Sequence, residues 1–106
     1  MGKIINKEAL MAVKSLRARL ILAREDHNLS DDDLGVLEST ISYLKEEHRR
    51  LLGVTADTEY SVVEGQLLDA KYDLEKIRDE RKKLANKLVG ATSILNAATR
   101  VLSLLA

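Results

Sequence analysis

Two histidines, a run of three aspartates and a cluster of lysines and arginines are the features of this 106-residue chain whose residue types could do chemistry. His27 stands beside Glu25 and Asp26, and His48 follows Glu46 and Glu47. A zinc site needs three or four ligands, and the Glu-x-x-His and His-x-x-x-His spacings that put two of them on one helix face do not occur. No metal is expected at either histidine. Asp31, Asp32 and Asp33 invite a calcium reading, but the loop pattern fails. With Gly35 as the sixth residue of such a loop, the first would be Ser30 and the fifth Leu34. Carboxylates in the first turn of a helix, facing the positive end of its dipole, explain the run better.

Other chemistries fare no better. There is no cysteine, the five glycines are scattered rather than gathered into a phosphate loop, and no serine or threonine has an obvious base partner. The expectation is a non-enzyme, with no catalytic residue and no cofactor. The basic run Arg78, Arg81, Lys82, Lys83 and Lys87 could meet phosphates, yet Asp79 and Glu80 interrupt it and no aromatic residue interleaves. Seventeen basic and seventeen acidic residues leave a formal charge of zero, so the chain as a whole has no attraction for a polyanion. A solvated helix flank is the preferred reading of the run.

These residues must be positioned by helices. Proline is absent, aromatic residues are limited to Tyr43, Tyr60 and Tyr72, and 45% of residues are hydrophobic, so any core is aliphatic. The fold class expected is all-α, a single helical domain over 1–106 in which a helical hairpin precedes a long heptad-patterned helix. Ala9, Val13, Leu16, Leu20 and Ala23 mark one face of a first helix over about 7–25, with Asn6 as its cap. Ser30 caps a second over 31–52, whose stripe is Leu34, Leu37, Ile41, Leu44, His48 and Leu51, and Gly53 ends it. Thr55 or Asp57 opens a third over 56–105. Its stripe runs Tyr60, Val63, Leu67, Ala70, Leu74, Ile77, Arg81, Leu84, Leu88, Ala91, Leu95, Ala98, Leu102, Leu105. Alternating steps of three and four sustained over that length read as a coiled-coil seam.

Length turns this into an expectation about assembly. A continuous helix of about 50 residues spans ~75 Å, whereas the two helices before it reach ~30 Å each. Leucines left uncovered would each forgo ~1.5–3 kcal/mol of burial. Either the chain oligomerises, or it bends near Gly90 and closes a four-helix bundle on itself; oligomerisation is the preferred reading. The interface would use Val63, Leu67, Leu74, Ile77, Leu84, Leu88, Leu95 and Leu102. Charge order adds a direction. From Asp57 to Glu75 the third helix carries net −5, and from Lys76 onward net +5, which favours an antiparallel dimer or a higher assembly of that sense.

The tail from Leu88 to Ala106 has Arg100 as its only charged side chain, and its outer face is small and weakly polar. Membrane-surface helices usually carry several Lys or Arg on that face, so burial in an assembly is preferred. No window of 18 uncharged apolar residues occurs, and residues 1–25 are too charged for a secretory leader, so a cytoplasmic location is expected. The function expected is that of an oligomeric assembly or adaptor protein, scaffolding a complex or blocking an unidentified protein partner. A nucleic-acid-binding regulator dimerised through the coiled coil is the second reading. It would use Lys14, Arg17 and Arg24, but lacks the side chains that read base edges. A membrane-surface protein acting through the tail is the third.

Overall fold

The computed structural model describes residues 4–25, 29–62, 67–79, 88 and 90–105. Among them are four α-helices: α1 (Asn6–Ala23), α2 (Asp31–Leu52), α3 (Leu67–Arg78) and α4 (Ala91–Ser103). Each packs on the next, and α4 returns to α1, so the helices form a ring with α1 and α3 at opposite corners. The radius of gyration is 13.4 Å and the longest dimension 41 Å. A chain of this length folded on itself has a radius near 13 Å, and a ~75 Å helix has no room in that envelope.

The single long helix expected over 56–105 is therefore replaced by two shorter ones. Thr55 and Asp57 do not cap a helix; residues 53–61 form a strap with no α-helix in it. At the other break, Gly90 has φ 77° and is the N-cap of α4. That left-handed conformation costs any residue with a Cβ, and it turns the chain into a new direction. The bend at Gly90 with closure on itself, the less favoured of the two sequence readings, is what the fold adopts.

The break also resets the helical phase. In α3 the expected seam residues Leu67, Ala70, Leu74 and Ile77 are buried, and Leu88 is buried beyond it. In α4 the buried set is Ile94, Ala97, Ala98 and Val101, while Leu95 and Leu102 are only half-buried against the core. Leu67, Leu74, Ile77 and Leu88, expected to face a second copy, are covered by their own chain. Val63, Arg81 and Leu84 lie outside the described residues.

Local signals at α2 agree with the sequence. Ser30 has extended φ and ψ and its Oγ accepts from the Asp33 amide at 3.1 Å, with Asp31, Asp32 and Asp33 in the first turn and Arg49 and Arg50 in the last. Gly53 ends the helix as expected, but with φ −98°, so it does not use a left-handed conformation. Asn6 behaves differently from the expected cap. Ile5 holds the N-cap position of α1, with its amide donating to Glu8 at 3.3 Å, and Asn6 is already helical.

Two substitutions test these termini. Ser30→Ala is expected to lower stability by about 1 kcal/mol in urea denaturation, the usual cost of a lost cap. Gly90→Ala is expected to destabilise by about 1–2 kcal/mol, because alanine must enter the left-handed region. Were residue 90 inside a continuous helix, alanine would stabilise it by about 1 kcal/mol, so the sign decides between corner and helix.

Candidate functional site

Two places concentrate unusual chemistry. The first is at the strap end of the bundle. The first amides of a helix have no acceptor within it, and in α1 the strap supplies them. The Asn6 amide donates to the Thr58 carbonyl at 2.9 Å and the Lys7 amide to Ala56 at 3.0 Å. The Asn6 side-chain amide donates to the Thr55 carbonyl at 2.9 Å, and the Tyr60 amide donates to the Ile4 carbonyl at 2.8 Å. An isolated antiparallel bridge, Ile5 to Glu59, completes the junction.

Beneath the strap, Glu47 is 0% exposed. Its carboxylate accepts from Arg50 through Nε at 2.8 Å and through a terminal guanidinium nitrogen at 3.0 Å. It also accepts from the Tyr60 hydroxyl in a short hydrogen bond. The same guanidinium reaches the Ser61 carbonyl at 3.4 Å and lies 5.6 Å from the centroid of the Tyr60 ring. The hydrogen bond to Glu47, partly offset by desolvation, raises the Arg50 pKa above its ordinary value. Burial first, and the hydrogen bond to Glu47 second, push the Tyr60 phenol well above the ordinary tyrosine value. Each group is thus held in the protonation state it already has at neutral pH. A carboxylate saturated by a forked guanidinium and a phenol is poorly suited to act as a base, and a phenol with a raised pKa is a poor nucleophile. The cluster is a clasp that ties the strap to α2.

The stripe expected for the second helix runs through His48 and does not include Glu47. The signal was present. Leu37, Thr40, Leu44, Glu47 and Leu51 also step by three and four, and all five are buried. Thr40, the other polar member, has its hydroxyl satisfied by the Val36 carbonyl at 2.7 Å. His48, placed on the seam by the expected stripe, is only half-buried. His27 lies outside the described residues. Among the described residues no group of three or more His, Asp or Glu side chains could hold a metal ion.

The second place is an apolar groove where the end of α1 meets the start of α4. It encloses about 510 Å³, lined by Leu22, Ala23 and Ile94, with Gly90 and Ser93 on one lip and Arg19 and Glu25 at the rim. Its residues at the start of α4, Gly90 and Ser93, are small, and Arg19 and Glu25 are its charged members. The side of α1 beyond the groove also exposes apolar residues. Met11 and Leu22 are 62% and 75% exposed, and Ala18, one helical turn from Leu22, is exposed as well. Of the residues expected to form an oligomer interface, Leu67, Leu74, Ile77 and Leu88 are used by the core, and none of the described ones lines this groove.

No family model matches the chain, and neither a curated protein nor a solved structure matches it. Among the described residues no helix is long and apolar enough to cross a membrane. The chain is thus defined by its class, an all-α bundle, and by these two features.

The raised Tyr60 pKa has a consequence for stability. Because the fold favours the neutral phenol, Tyr60 contributes stability that is fully present below the unfolded tyrosine value, about pH 10, and is lost as pH rises above it. Tyr60→Phe has no phenol to titrate. Denaturation at pH 9 and pH 11 should show wild type losing more stability over that interval than the variant; equal losses would mean that Tyr60 is not held neutral by the clasp.

Proposed function

We propose that this chain is a non-enzymatic assembly or adaptor protein, acting by protein–protein contact as a scaffold or as a blocker of a partner. The observation that carries this reading is the apolar groove at Leu22, Ala23 and Ile94, with largely exposed Leu22 at its edge. Exposed apolar residues scattered singly are ordinary, but an exposed leucine at the edge of a concave apolar groove is the form that accepts a partner's side chains. The clasp supports the same reading from the other side: its carboxylate is engaged in holding the strap and offers a substrate little. Self-association belongs to the proposal, through outward-facing residues rather than through leucines that the core already covers. The absence of cysteine is compatible with a reducing cytoplasm as the place of work.

A photoreactive side chain at position 22 tests this reading in an extract of the source cells. It is expected to give discrete crosslinked products, while the same group at exposed Lys45 on α2 gives none of them. Excess unlabelled wild type should suppress the products, and excess Leu22→Lys should not. Products that are identical from both positions, or that both competitors suppress equally, would reject the groove as the working surface.

A further inference from the structure

We propose that two copies of this chain exchange α4: the corner at Gly90 straightens in each, and α4 of one copy docks between α1 and α3 of the other. The inference goes beyond the groove reading above, and no step of it uses Leu22.

The two ends of the bundle are held differently. At the strap end the chain is pinned by directional bonds, among them the Asn6 and Lys7 amides to the Thr58 and Ala56 carbonyls and the Tyr60 hydroxyl to Glu47. The last helix is held by packing. It buries Ile94, Ala97, Ala98, Val101 and Leu104, and it packs on both α1 and α3. Among the described residues its hydrogen bonds run within its own turns. The Ile94 amide donates to the Gly90 carbonyl at 3.0 Å, and the Ser103 hydroxyl to the Arg100 carbonyl at 2.6 Å. An element docked by packing alone, and entered through one corner, is the one whose place an identical element can take.

Residues around that corner suit two conformations. In the closed fold Gly90 has φ 77°, and α4 buries Ile94 and Val101 while Leu95 and Leu102 are only half-buried. A straight helix would instead set Leu95 and Leu102 on one seam with Leu88, Ala91 and Ala98. The sequence permits it: the steps of three and four run through residue 90 without a skip, and no proline intervenes. Glycine holds the left-handed corner without strain and enters a helix at modest cost, so residue 90 sets the balance.

The partner follows from the contact itself. On a straight helix α4 is carried away from its own α1, and the faces it covered lie open. What fits those faces is α4, and a second copy opened at the same corner supplies one. In the exchanged dimer every core position is covered as before; only the chain that provides α4 differs. Association costs translational and rotational freedom, so the closed monomer holds on dilution and the dimer gains by mass action.

Sedimentation velocity on wild type and two variants tests this. Wild type is expected to be monomeric near ~1 µM and to show a dimer near ~1 mM. Gly90→Ala penalises the corner and favours the helix at both hinges of the dimer, so its association constant is expected to rise on the order of a hundredfold or more. The substitution that weakens the closed monomer thus favours the open dimer. Gly90→Asn tolerates the left-handed region and is expected to stay close to wild type. A Gly90→Ala chain with native helical circular dichroism that dimerises no more than wild type overturns the proposal. So does Gly90→Asn dimerising as strongly as Gly90→Ala.

Crosslinking separates exchange from ordinary pairing. Lys71 on α3 and Ser103 on α4 are exposed and line one groove, at the end of α4 away from Gly90. Lys71→Cys and Ser103→Cys are put into separate Gly90→Ala chains, which hold no other cysteine. The two are refolded together and treated with a short bis-maleimide. Exchange is expected to give a covalent dimer from the mixture and little from either chain alone. A dimer of closed copies keeps each α4 on its own α3 and shows no such preference, which overturns the proposal. If Gly90→Ala loses its helical signal, the same pair is read in chains that retain Gly90, refolded together near ~1 mM, and absence of a dimer there overturns the proposal as well.

Discussion

The fold depends on one buried carboxylate. Glu47 has left water completely, and an ionised group in that position is tolerated only where its charge and lone pairs are answered. Arg50 answers it from the same helix, and Tyr60 answers it from the strap. Buried ion pairs of this kind are weak sources of net stability, but they discriminate sharply between arrangements, because a misplaced partner leaves a charge stranded. Here the arrangement selected is the crossing of the strap over the bundle end. With Tyr60 held at Glu47, residues 55–58 fall beside the start of α1 and their carbonyls take the amides that the helix cannot satisfy itself. The start of α1 and the path of the strap are thus set by the same clasp.

Closure of the ring then follows from side-chain size. The core contains no aromatic residue from the helices and is built from Leu, Ile, Val and Ala, with Ala9, Ala12, Ala23, Ala70, Ala97 and Ala98 all buried. Alanines on facing helices let backbones approach, and leucines fill the gaps between them at the density a native interior requires. Such a core is short in range. It suits helices of twelve to twenty-two residues, which is what the described elements are.

Much of this was legible in the residues, and the failures have physical reasons. The first two helices, the Ser30 cap and most inward positions follow from periodicity and cap chemistry. The continuity of the third helix does not, because steps of three and four are equally the mark of a coiled-coil seam and of successive short helices facing one core. Gly90 separates the cases. A glycine costs a continuous helix about 1 kcal/mol, but it is the natural residue for the left-handed corner observed, and the one-position shift from Leu95 to Ile94 shows that the phase was not inherited across it. Glu47 was overlooked because a glutamate is read as surface unless a partner is known, and Tyr60 is thirteen residues away in a segment assigned to a helix. The groove had no signature in sequence at all, since it exists only where the end of α1 meets the start of α4.

Adjacent apolar pairs connect the core to the surface. Leu51 and Leu52, and Leu67 and Leu68, each place one leucine inside and its neighbour outside. Leu20 is likewise buried while Leu22 is largely exposed. Consecutive helical residues are 100° apart, so in these doublets the second member falls outside the buried arc. A monomer selected only for solubility would carry Lys or Glu there, and with a formal charge of zero this chain has no net self-repulsion to keep copies apart.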